Sequence, residues 1–233
     1  MNYQSRKNQI PMFELESLTV ARHPAVYTDS ILLELDKIVT DVGLVLDPFG
    51  GTGKLKEIRP NAVCMDIEPE WSALAGLQGD ALKLPFADST FDEVVTSPTY
   101  GNRLADASIR DDLTNRSYTN WIRHELHENN SGAMQWGVEY KEFHLAAWYE
   151  VIRVLKPNGF FVLNIKDHIR DGEVVDVCGW HFATLLKIGF DIIDSFHVET
   201  PGFRMGENDK ARIDTEEIYL FRLCGRTKRR KSK

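Results

Sequence analysis

Cysteine is scarce. The three residues, Cys64, Cys178 and Cys224, stand far apart. An odd number with no C-x-x-C pair argues against both a disulfide framework and a zinc ribbon. Long apolar runs are missing too, and none approaches the ~18 residues needed to cross a bilayer. The opening stretch MNYQSRKNQI has no apolar segment of the kind that directs secretion, so a cytoplasmic protein with no membrane partner is expected. There is no internal repeat. No histidine spacing suggests a metal: His124-Glu125-Leu126-His127 separates its histidines by three positions, not the four of H-E-x-x-H, and reads as a solvated polar helix. His168, His181 and His197 likewise show no metal spacing.

What is present is the composition of one soluble globular domain: 233 residues, 42% hydrophobic and 27% charged. Net charge is −7, which alone disfavours a nucleic-acid partner. The charge is uneven, however. The last eight residues, RTKRRKSK, carry six Lys or Arg and no acid, leaving −13 on the rest. A basic tail on an acidic body can supply non-specific phosphate affinity; it can equally be a solubilising terminus.

Short apolar runs alternate with helical patterns, the mark of α/β organisation. Residues 1–20 read as an arm. Residues 28–40 space Ile31, Leu32, Leu35, Ile38 and Val39 as a helix, capped by Asp29 or Ser30 and ended by Gly43. Buried strands are expected at 44–46, 62–65, 91–96 and 160–165. Further expectations are helices over 140–155 and 176–188, with Pro157-Asn158-Gly159 and Gly189 as breakers, and two last strands over 190–197 and 216–224. The domain then spans 21–225, with 226–233 as the tail. Residues 101–139 fit neither period and read as an insertion.

The strand at 44–46 runs into Asp47-Pro48-Phe49-Gly50-Gly51-Thr52-Gly53 and a helix expected over 54–58. That order presents backbone N–H groups to a ligand. Asp66 follows Asp47 by 19 residues at the end of the next strand, where a carboxylate accepts from both ribose hydroxyls. Asp80, in Gly79-Asp80-Ala81, is placed to accept from an adenine amino group, and Ile67 and Ala81 flank the two acids. A phosphate-binding P-loop would need Gly where Pro48 stands and Ser or Thr where Leu55 stands. A dinucleotide fold would show G-x-G-x-x-G, which is absent.

Ser97-Pro98-Thr99-Tyr100 resembles the (D/N/S)-P-P-(Y/F/W) motif of amino-methyltransferases acting on DNA cytosine N4 or adenine N6. Asp47 to Gly53 is similar to their cofactor motif, D-P-F-x-G-S-G. His23-Pro24-Ala25 resembles the segment they place beside the cofactor, and Leu155-Lys156-Pro157-Asn158-Gly159 the L-K-P-G-G step of class I methyltransferases. The resemblance covers about residues 22–224. It implies a Rossmann-like class I fold, a mostly parallel seven-stranded sheet with a C-terminal antiparallel hairpin strand. It also implies S-adenosylmethionine as cofactor, DNA as partner with RNA possible, and DNA methylation of the restriction–modification kind. The implied cofactor-binding residues are Asp47, Pro48, Phe49, Gly50, Gly51, Gly53, Asp66, Ile67, Asp80, Ala81, His23 and Ala25; the catalytic ones are Ser97, Pro98 and Tyr100.

The chemistry explains the motif. An exocyclic amino group is a poor nucleophile, because its lone pair is delocalised into the ring. Ser97 Oγ and the Pro98 carbonyl would bind its hydrogens, expose the lone pair and stabilise the growing positive charge. Tyr100 would stack on the extruded base. Thr99 departs from the usual Pro; it either loosens the loop or contacts the base. The Ser form of the motif is associated in the family with cytosine N4 more than adenine N6. With no large extra domain present, target contacts are expected within 101–139: Arg103 on phosphate, with Tyr118, Trp121 or Trp136 for stacking. Two other readings stay open. One is an RNA guanine-N2 or related amino-methyltransferase; the other is a cofactor-binding subunit without catalysis.

Overall fold

The computed structural model describes residues 23–41, 43–102, 117–200 and 213–225. The arm at 1–20, the basic tail and Arg103 lie outside the described residues. In chain order the strands are β1 (Val45–Asp47), β2 (Val63–Asp66), β3 (Gly76–Gln78), β4 (Phe91–Thr96), β5 (Leu155–Ile165), β6 (His168–Arg170), β7 (Glu173–Val175), β8 (Phe190–Glu199) and β9 (Thr215–Leu223). The helices are α1 (Asp29–Ile38), α2 (Pro69–Ala75), α3 (Tyr118–Ile122), α4 (Val138–Val154) and α5 (Val177–Ile188).

Seven strands form one sheet in the order β3-β2-β1-β4-β5-β9-β8. β1 to β5 pair in parallel. β9 runs antiparallel between β5 and β8. This is the expected Rossmann-like class I arrangement. Parallel strands covered on both faces read as continuous apolar runs. β4 shows why: Val94 packs into one core and its neighbour Val95 into the other, because side chains alternate along a strand.

One core lies under α4. That helix buries Tyr140, Phe143, His144, Ala147, Trp148, Val151 and Val154, the i, i+3, i+4, i+7 stripe of a helix laid on a sheet. The opposite core lies under α1, where Ile31 and Leu35 meet Val45, Cys64, Val162 and Ile218.

Several local expectations are corrected. Thr28, not Asp29 or Ser30, caps α1, accepting from the Ile31 N–H. The helix stops at Ile38 with Val39 as its C-cap; Gly43 instead packs against Asp92, which accepts from the Leu44 N–H. The helix expected after the glycine-rich loop is a single 3-10 turn, Lys54–Glu57. Pro157-Asn158-Gly159 lies within β5 as a bulge. The β4 partners step from Phe91 to Glu93 while β5 steps from Leu155 to Phe160. Proline cannot donate to the ladder, so the chain bows out there. α2, β3 and the β6–β7 hairpin were not expected; each is too short to show a period.

Candidate active site

The strand order reverses between β1 and β4. In an open parallel sheet, that is where a crevice forms beyond the strand ends. The loops after β1 and β4 both open onto one cavity of about 280 Å³. The two strands pair in parallel with Leu46 opposite Val94, and one side-chain bond joins their ends: Thr96 Oγ1 donates to Asp47 Oδ1 at 2.7 Å. Asp47 is fully buried and also accepts from the Phe49 N–H and the Tyr27 hydroxyl. Burial pushes its carboxyl up to about 7 against the pull of those donors. Asp47 therefore lies beneath the loop rather than on the cavity wall.

Above it the chain turns tightly. The Gly50 N–H donates to the Met65 carbonyl at 2.8 Å, and a Cβ at position 50 would sit 2.9 Å from the Cys64 Cβ. Only glycine lets the loop lie this close to β2. Gly51 takes φ +52° and faces the cavity. So do Pro48, Phe49, Asp66, Ile67, Ala81, His23 and Ala25. Gly53 and Asp80 do not line it. Gly53 is the left-handed cap of the 3-10 turn, packed on Ala75. The Asp80 carboxylate is turned to the Leu82 N–H and the Asn129 amide.

At the end of β2, Asp66 Oδ1 accepts from the Glu68 N–H at 2.9 Å, and burial pushes its carboxyl up to about 7. His23 stands edge-on to Trp71, ring centres 4.4 Å apart, and burial lowers its pKa to about 4, so the ring is neutral. Trp71 and Tyr118 continue that aromatic wall. Glycine backbone, a carboxylate and aromatic faces suit a sulfonium nucleoside. The carboxylate accepts from a ribose diol, and π-faces favour a purine and a soft cation.

The loop after β4 carries the tetrapeptide, and its four residues line the same cavity. Ser97 Oγ lies 3.0 Å from the Tyr100 hydroxyl and accepts from Asn164 Nδ2 at 3.1 Å. Tyr100 Oη donates to Glu216 Oε2 at 3.2 Å. Thr99 does not loosen the loop. Its Oγ1 lies 3.0 Å from the Ser131 carbonyl and 2.9 Å from Ser131 Oγ. Its own carbonyl accepts from Tyr140 Oη at 2.7 Å. Behind that bond, Trp148 Nε1 donates to His181 Nδ1. His181 Nε2, 2.9 Å from Tyr140 Oη, must then carry the ring proton and donate it. Burial holds His181 well below the ordinary imidazole range, so the ring stays neutral.

A third segment closes the cavity. Glu68 Oε1 accepts from the His127 N–H and from Asn130 Nδ2, both at 2.7 Å. Asn129 reaches Asp80, and Ser131 reaches Thr99. The run 127–131 thus links the ends of β2 and β3 to the tetrapeptide. Of the target-contact candidates, Thr99 and Tyr118 line the cavity, whereas Trp121, on α3, does not. Trp136, partly buried, packs on Tyr140 and Trp180 against the core. The segment His124–His127 is not the polar helix expected, since α3 ends at Ile122; His124 pairs with Glu70 at 2.9 Å. The residues missed from sequence are Tyr27, Trp71, Asn129, Asn130, Ser131, Asn164 and Glu216. Asn164 carried a signal, a polar residue inside the buried run of β5.

The DNA methylase (N6_N4_Mtase) family profile matches residues 91–232. The chain belongs to this family. It is an S-adenosylmethionine-dependent methyltransferase. Comparison with curated proteins gives no match. Among solved structures, an S-adenosylmethionine-dependent methyltransferase of Methanosarcina mazei superposes with a TM-score of 0.52 at 14% identity, covering 82% of this chain and 97% of that one. The cyclase SpnF gives 0.53 at 18% identity, with 84% and 82% covered. At such identities the likeness concerns the fold alone. A cyclase among the neighbours shows why a methylase's target must be argued from its site.

Proposed function

We propose that this methyltransferase modifies an exocyclic amino group of a DNA base, cytosine N4 or adenine N6. The carrying observation is a cluster of acceptors at the catalytic end of the cavity. Ser97 Oγ, on the cavity wall, accepts from Asn164 Nδ2 and donates to Tyr100, which leaves it one lone pair for a ligand, and Pro98 lines the same wall. A site of acceptors fits an amino group better than a hydroxyl or ring carbon.

S-adenosylmethionine, when bound, supplies an electrophilic methyl group. Asp66 is proposed to hold the ribose hydroxyls, with Gly50 and Gly51 against the tail and the His23–Trp71–Tyr118 wall against the purine. Ser97 Oγ and the Pro98 carbonyl hold the amino hydrogens, which localises the nitrogen lone pair and stabilises its developing charge. Thr99, tied to Ser131 and Tyr140, fixes the loop so that little reorganisation is needed at reaction. The Tyr100 ring flanks a base turned out of the duplex.

The test is transfer of labelled methyl groups to DNA and to RNA, followed by mass spectrometry of the nucleosides. N4-methylcytosine or N6-methyladenine is expected. Label in RNA alone would overturn the DNA assignment, and binding of cofactor with no transfer would support a non-catalytic subunit. Ser97→Ala is expected to lower kcat about 10²-fold with cofactor affinity nearly unchanged. Equal loss of both would remove Ser97 from its assigned role.

A further inference from the structure

The hydrogen bonds behind Ser97 have a direction. Asn164 Nδ2 has two hydrogens; its shortest contacts are Glu216 Oε2 at 2.9 Å and Ser97 Oγ at 3.1 Å. Tyr100 Oη gives its proton to Glu216 Oε2, so it meets Ser97 as an acceptor, and Ser97 Oγ–H donates to Tyr100. Ser97 Oγ keeps one lone pair for the cavity. A continuous path therefore runs from the cavity through Ser97 and Tyr100 to a carboxylate. Asn164 and Glu216 themselves line the cavity. Burial and then the Glu216 charge hold the Tyr100 phenol well above its ordinary range, so it passes protons as a hydroxyl, not a phenolate.

From this geometry we infer that Glu216 is the proton sink of the methyl transfer, reached from the target nitrogen through Ser97 and Tyr100. The inference rests on the amino-methylation reading. As the N–C bond forms, positive charge grows on the nitrogen and one N–H bond breaks. That proton passes to Ser97 Oγ as the serine proton moves to Tyr100 Oη and the tyrosine proton to Glu216 Oε2. One N–H bond is lost, one carboxyl O–H bond is gained, and Ser97 and Tyr100 end as neutral hydroxyls. Glu216 then releases the proton to water. The charged and titratable groups around Glu216 are Tyr100 on the loop after β4 and Lys166 beyond the end of β5, whose Nζ lies 3.7 Å from Glu216 Oε1 and also bonds Thr200. The pair His197–Glu217 belongs to the next residue along β9, on the other face of the strand.

The experiment compares wild type, Glu216→Gln, Glu216→Asp and Tyr100→Phe in single turnovers with tritiated cofactor on unmethylated mixed-sequence DNA, with RNA in parallel. Glu216→Gln is expected to lower the rate about 10²-fold and to leave cofactor affinity and melting temperature near wild type. Glu216→Asp should recover part of the rate, which a purely structural role would not require. Adding Tyr100→Phe to Glu216→Gln should cost little more than either alone, as for groups acting as one unit. A Glu216→Gln rate within about twofold of wild type (well under the 10² of general acid–base catalysis) on whichever nucleic acid is methylated overturns the inference; methylation of RNA alone overturns only the DNA assignment. Independent of turnover, NMR of Cζ-labelled tyrosine should show Tyr100 ionising at lower pH in Glu216→Gln. An unmoved Tyr100 titration overturns the relay even if neither nucleic acid accepts methyl groups.

Discussion

Asp66 is pulled two ways. As a carboxylate it is the proposed acceptor for two ribose hydroxyls, yet burial raises its pKa to about 7. A protonated Asp66 gives up one acceptor oxygen. Cofactor affinity should therefore weaken as pH falls from 8 to 6, and the dependence should vanish in Asp66→Asn, whose affinity is weaker throughout. Calorimetry across that range checks this, and a flat wild-type profile would refute it. The place of Asp66 on the cavity wall was legible in the sequence, because it is an acid closing a buried strand. Asp80 follows a short, mostly exposed strand, and its partner Asn129 lies 49 residues on, which nothing local announces. Thr99 is the same case: its anchors, Ser131 and Tyr140, come from a segment with no period. Residues on the ends of strands could be read; their distant partners could not.

Among the elements, β5 shows how a local breaker is absorbed by tertiary structure. Leu155-Lys156-Pro157-Asn158-Gly159 reads as a break, but the parallel ladder with β4 resumes on both sides of it. Asn158 adopts φ +65°, and Lys156 Nζ bonds both Asp92 oxygens at 2.8 Å. Gly159 has no room for a side chain, since a Cβ would lie 2.9 Å from the Asp92 and Lys156 carbonyl oxygens. Gly159→Ala should therefore destabilise by about 1–3 kcal/mol, the usual range for forced overpacking, as measured in urea unfolding. A neutral result would mean the bulge is freer than its contacts imply. Helices α4 and α5 were visible because two or more turns repeat one apolar stripe. α2 was not, since two turns repeat too little; the turn after Gly53 was placed by its glycine-rich loop, but its 3-10 form was not legible.

At the scale of the molecule, buried titratable groups oppose one another. Asp47 and Asp66 are both raised to about 7. Between about pH 4 and 7 the folded chain holds protons that the unfolded chain has lost, so these two groups lower stability as pH rises through that window. His23 and His144 are lowered to about 4 and His181 is lowered further. Below the ordinary imidazole value the unfolded chain takes up protons that these rings refuse, so they lower stability as pH falls from about 6.5 to 4. The two slopes partly cancel in wild type. Asp47→Asn keeps an oxygen for Thr96 and Phe49 but removes one titration, so its melting temperature should gain on wild type steadily from pH 4 to 7. A gap independent of pH would show that Asp47 does not titrate as its burial dictates. The pairing of β1 with β4 has a further consequence. On the proposed reading the loop that would hold the cofactor leaves one strand and the loop that would hold the acceptor leaves its hydrogen-bonded neighbour, so the gap a methyl group must jump is gauged by backbone ladder spacing. A change of target can then come from the cavity walls alone, while the reacting distance is inherited unchanged from the sheet.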